Sequence, residues 1–182
     1  MSQNEDREFE QAAVVSQELL KKVDKESDYR ELSGFLAKVI TAIAICFSVF
    51  QIYTAALGVL DAMIQRSIHL AFGLCLIFLL YPARSSWPRD RIHPIDFVFA
   101  VLGAAAPLYI VIFYQELVRR AGLVTTADYI IGLIAIVLIL DAVRRVVGWP
   151  MVGVAVMFIL YALFGRQLPG ALAHRGVDMP TL

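Results

Sequence analysis

IIGLIAIVLILDAVRRVVGWP, residues 130–150, is the stretch on which the reading of the fold turns. Its first eleven residues carry no charge and a single glycine; then come Asp141, Arg144, Arg145, Gly148 and Pro150. That is the order of a membrane helix leaving a bilayer. An apolar body crosses the hydrocarbon, cations complement the negative end of the helix dipole, and glycine and proline end the helix. Most of the chain repeats the pattern, so the expected fold class is an all-α integral membrane protein.

Composition agrees with this. The chain has 182 residues, 59% of them hydrophobic, and a mean hydropathy of +0.71, beyond the apolar share of a soluble domain. Formal net charge is zero, so the concentrated basic face that a nucleic-acid partner requires is missing. Nine of the sixteen acids lie before Gly34. This long acidic start is unlike a secretory signal, which opens with a short basic region and an apolar core. Cys46 and Cys75 both fall in apolar runs and read as small core hydrophobes, not as a disulfide or as metal ligands.

In order, residues 1–33 form a polar leader without Gly or Pro, in which Phe9, Ala13, Leu20 and Val23 recur near helical spacing. A helix is expected there, either solvated or amphipathic and lying on the membrane or a partner. The first span covers about residues 34–60, with Lys38 snorkelling near its start and Gln51, Tyr53 and Thr54 marking a packed side. The second covers 67–81 and, being short for a bilayer, borrows residues 62–65, which puts His69 near the interface. The loop 83–94 holds Arg84, Arg89 and Arg91, with Trp87 as an interfacial anchor.

The third span, about 95–117, carries small residues four apart at Ala100 and Ala104, which admit a close neighbour, and Pro107, which permits a kink. Glu116 stands three and four positions before Arg119 and Arg120, the spacing of an intrahelical ion pair, and Gly122 stops the helix. Thr125 or Thr126 caps the next helix, with Asp128 in its first turn. That helix continues through the opening stretch to about residue 146. Asp141 and Arg145 are four apart and share a face, with Arg144 beside them. This group reads as an interfacial anchor, or as a salt bridge or lipid-headgroup contact at a subunit interface.

A last apolar run, 149–164, reads as a fifth span. The divisions are therefore a leader (1–33), a four-helix membrane module (34–147), and a connector-like span with an outside tail (148–182). Orientation follows from the cations. The side holding the leader, the 83–94 loop and the 144–145 end collects eleven Lys and Arg, against five on the other side, which places the N-terminus in the cytoplasm.

No P-loop, HExxH or Gly-x-Ser-x-Gly motif occurs, and the histidines His69, His93 and His174 sit on separate elements. No catalytic, cofactor-binding or metal-ligating residue is therefore assigned, and the chain is not expected to be an enzyme. The candidate subunit- or lipid-interface residues are Arg119, Arg120, Asp141, Arg144 and Arg145. Such a chain serves a larger assembly; the alternative is a small self-contained oligomeric channel or carrier, which needs polar residues at mid-span, where only Gln51, Tyr53, Thr54 and Tyr109 come near.

Particular strings narrow this further. RSIHLAFGLCLIFLLYP (66–82), ELVRRAG (116–122), TTADYIIG (125–132), LDAVRRVVGWP (140–150), YALFG (161–165), LPG (168–170) and HRG (174–176) follow one another in that order. From residue 66 onward the chain resembles the N-terminal part of the fused permeases of tripartite ATP-independent periplasmic (TRAP) transporters of the TAXI type. The leader and first span share only their general character. The resemblance implies a small Q-type membrane module in a bacterial cytoplasmic (inner) membrane, a scaffold that binds a large, elevator-type M permease. A periplasmic TAXI-type binding protein then delivers the substrate. Coupling to Na+ or H+ belongs to the large permease, and no cofactor to this chain. It also implies that residues 149–164 are the connector joining the two parts of a fused permease. A fused permease continues past the point where this chain stops at Leu182, which leaves open a separate subunit and a piece of a larger permease.

Overall fold

The computed structural model describes residues 29–30, 32–58, 60–84 and 86–165, and every regular element among them is helical. In chain order these are α1 (Gly34–Ala56), α2 (Ala62–Leu80), α3 (Pro94–Ile112), α4 (Tyr114–Arg119), α5 (Thr126–Val146) and α6 (Trp149–Phe164). Four of them, α1, α2, α3 and α5, are long and apolar enough to cross a membrane. The 19-residue helices α2 and α3 reach about 28 Å at ~1.5 Å per residue, close to the ~30 Å of bilayer hydrocarbon. α6, with 16 residues, reaches about 24 Å and falls short of that thickness.

Local chemistry sets the boundaries. α1 ends at Ala56, four residues before the expected end, with Leu57 as its C-cap, because Asp61 is already the N-cap of α2, its Oδ1 accepting from the Met63 amide at 2.9 Å. α2 therefore does take in residues 62–65, and His69 lies about 10 Å along it instead of near its start. Pro94 occupies the first turn of α3, where its missing N–H costs nothing. The expected third span is broken: α3 continues past Pro107 and is capped by Phe113, and α4 is a separate short helix. Gly34, at φ +68°, Gly122, at φ +88°, and Gly148, at φ +110°, take up positive φ at helix boundaries, a region that glycine adopts without strain.

The expected leader helix falls mostly outside the described residues. Its last described positions, Tyr29, Arg30, Leu32 and Ser33, are not helical. The tail beyond Gly165 is likewise outside them.

Packing centres on α2 and α3. α3 buries Asp96, Ala100, Gly103, Ala106 and Pro107 along one side. The closest approach is at Gly103, where a Cβ would stand 3.0 Å from both Leu74 Cβ and Phe78 Cε2. The small-residue contact is thus made by Ala100 and Gly103, and Ala104, expected to share it, is only half-buried. Around this seam Ile40, Leu74, Phe78, Leu79, Ala100, Leu138 and Ala142 form the buried core. α1 buries only Ile40 and Thr54, so its outer face is apolar and bare. Cys46 is on that face and is exposed, so it is not the core residue the sequence suggested, whereas Cys75 is half-buried and packs against the core. Gln51 and Thr54 do turn toward α2, but Tyr53 is exposed.

Candidate functional site

The core is dense at the end where α2 finishes, α3 begins and α5 finishes. The sequence puts complementary charge there. A helix leaves its last four carbonyls unpaired and partly negative, and its first N–H groups partly positive. Arg145 ends α5, Asp96 stands in the first turn of α3, and Arg30 precedes α1. All three side chains are wholly buried.

They form one cluster. Asp96 divides its carboxylate between two guanidinium groups: Oδ2 accepts from Arg30 Nη2, and Oδ1 accepts from Arg145 Nη1 at 2.6 Å. Each arginine also satisfies the end of α2. Arg30 Nη1 donates to the Leu79 carbonyl at 2.9 Å and to that of Phe78 at 3.3 Å, and its backbone N–H donates to the Leu80 carbonyl at 2.8 Å. Arg145 Nη1 donates to the Tyr81 carbonyl at 3.0 Å. Asp141 continues the chain of charges, taking Arg145 Nε at 2.7 Å on Oδ2 and Arg144 Nη2 at 2.6 Å on Oδ1. Arg144 then bridges to the Ala83 carbonyl at 3.3 Å.

Two guanidinium nitrogens, Arg30 Nε and Arg145 Nη2, are buried without an acceptor. For Arg145 the compensation is aromatic: its guanidinium carbon lies 4.7 Å from the Phe78 ring centroid and 5.4 Å from that of Phe99. Pairing in this setting adds little net stability, because desolvating the ions costs about what their attraction returns. What it does fix is geometry: the segment before α1 and the ends of α2, α3 and α5 meet in one arrangement.

A second cluster ties the opposite end. Thr125 is the N-cap of α5 and forms a capping box with Asp128: Thr125 Oγ1 accepts from the Asp128 amide at 3.3 Å, and the Thr125 amide donates to Asp128 Oδ2 at 2.8 Å. Asp128 also takes the Tyr109 hydroxyl at 2.7 Å and Arg120 Nη2 at 3.0 Å, both on Oδ1. Arg120 thus pairs with Asp128, and not with Glu116 as its spacing suggested. Nearby, the Tyr114 hydroxyl and the Met63 amide hold the Asp61 carboxyl below its ordinary pKa.

Of the interface candidates, Arg119 is exposed, Arg120, Asp141 and Arg144 are half-buried, and Arg145 is buried. The structure brings Asp141, Arg144 and Arg145 together, as their spacing required. It adds Asp96 and Arg30, which sequence reasoning missed. Asp96 looks like an ordinary first-turn acid; the available signal was that no cation stands three or four residues away, so its partner had to come from elsewhere. Arg30 gave no local signal. Trp87, expected as an interfacial anchor, stacks on His93 with ring centroids 3.9 Å apart. Among the described residues no cluster of three or more His, Cys, Asp or Glu is placed to hold a metal ion.

Together these features define a helical membrane bundle clamped at both ends. Compared with protein-family profiles, with curated proteins and with solved structures, the chain matches none.

Proposed function

We propose that the chain is a non-catalytic scaffold module of a secondary-active solute-uptake transporter of the TRAP class, of the TAXI type, in a bacterial inner membrane with the N-terminus in the cytoplasm. In this reading α1, α2, α3 and α5 are the four-helix module. α6 is the fifth, connector-like span. The large M-type permease carries the Na+- or H+-coupled elevator, and a periplasmic binding protein supplies the substrate.

One observation carries the scaffold role: the acids and cations of the four long helices all lie within about two turns of a helix end, and those that pair do so with one another or with Arg30 and Arg120, which flank the helices. A transport centre keeps ionisable side chains at mid-depth, facing a cavity. A static support needs fixed helix ends and an apolar outer surface, which Ile52, Phe97, Ile112 and Val137 help supply. The ordered strings from residue 66 to residue 176 support the particular class.

Co-expression with a large TRAP-type permease of the TAXI class should yield a stoichiometric complex through affinity and size-exclusion steps. Recovery of the two chains separately, each folded, would remove the support for this assignment.

A further inference from the structure

One polar feature of the long helices belongs to neither clamp. Gln65, Arg66 and His69 fall on one face of α2, and with Gln51 of α1 they line a groove of about 530 Å³. Gln51 Nε2 and His69 Nδ1 are hydrogen-bonded, and Gln65 Nε2 donates to Thr54 Oγ1 at 3.4 Å. With the Gln51 amide donating to Nδ1, the imidazole proton sits on Nε2 and is left for another acceptor. No carboxylate pairs with Arg66 among the described residues.

Depth limits what can fill the groove. Arg66 is four residues into α2, or about 6 Å from its start, and its stem reaches back to the headgroup level. His69 and Gln51 lie deeper, at a level where polar groups left facing hydrocarbon are costly. The groove therefore calls for an anionic oxygen at its mouth and neutral acceptors a few ångströms further in. The rest of its lining, Ala62 and Leu70, is apolar. Phosphate, ester carbonyls and acyl chains, in that order of depth, are what a glycerophospholipid presents; a soluble anion matches only the mouth.

We propose that this groove is a phospholipid site, in which Arg66 pairs with the phosphate and the Nε2–H of His69 reaches the ester oxygens. The inference rests on α1 and α2 spanning a bilayer and not on the transporter reading.

The test uses the full chain, delipidated in mild detergent and titrated with phosphatidylglycerol under native mass spectrometry. Bound phospholipid is expected at one per chain above background. Arg66→Gln should weaken it about tenfold, the loss of one charge-assisted hydrogen bond, while Arg66→Lys retains most of it and both variants keep the wild-type melting curve. His69→Leu provides a second, independent loss. Diacylglycerol, which lacks the phosphate, should not be retained, and inorganic phosphate should not compete. Equal retention by a folded Arg66→Gln variant would overturn the site. Competition by inorganic phosphate would make it a free-anion site, and a membrane cross-link from position 66 to another protein, with no lipid retained, would make it a protein interface; either result also overturns the proposal.

Discussion

Asp96→Ala is expected to destabilise the bundle by about 3–5 kcal/mol, the usual cost of removing one partner from a buried ion pair. The substitution leaves Arg30 and Arg145, both wholly buried, with no shared carboxylate between them. Asp141→Ala should cost less, because Arg144 keeps the Ala83 carbonyl, Arg145 keeps Asp96 and the Tyr81 carbonyl, and the Asp141 side chain is already 19% exposed. Replacing the three charges together (Arg30→Met, Asp96→Leu, Arg145→Met) should recover part of the loss, since an apolar cluster has no ions to desolvate. It should not recover all of it, because the end of α2 loses the donors that satisfied Phe78, Leu79 and Tyr81. Thermal unfolding of the full chain in detergent, followed by circular dichroism, gives the order. Coincident melting of Asp96→Ala and wild type would mean the cluster holds nothing.

The second large effect is at Gly103. Alanine in place of glycine ordinarily stabilises a helix interior by about 1 kcal/mol. Here the added methyl would stand 3.0 Å from Leu74 Cβ, an atom fixed to the backbone of α2. Only separation of the two helices relieves that contact, and overpacking of this kind costs about 1–3 kcal/mol. The clash wins, so Gly103→Ala should lower the melting temperature. Gly73 and Gly132 have no atom within 4 Å of a built Cβ, so alanine there should be neutral or stabilising. A higher melting temperature for Gly103→Ala would place α2 and α3 further apart than described.

Which parts of this were legible in the sequence follows from range. The long apolar runs, the cap at Thr125, the stop at Gly122 and the i,i+4 pair of Asp141 and Arg145 are local, and a short stretch contains all the residues that make each of them. The Asp96 cluster joins residues 30, 96 and 145, and no periodicity links positions so far apart. The Glu116 reading failed for a related reason: helical spacing offered Arg120 Glu116 alone, and the turn at Gly122 brings Asp128, eight residues on, back to it. Ala104 lost its place at the helix seam to Gly103 because the seam follows the 96, 100, 103, 107 face of α3. That choice depends on how α2 is rotated against α3, which the α3 sequence does not state.

In the proposed function this chain supports transport without conducting anything itself. Reconstitution of the purified chain alone into liposomes, under imposed proton and sodium gradients and with internal pH- and sodium-sensitive dyes, tests it most directly. The expected result is dye traces that coincide with those of protein-free liposomes, whatever gradient is applied. Gradient-driven flux that scales with the amount of chain reconstituted would contradict the scaffold account and favour a self-contained channel or carrier.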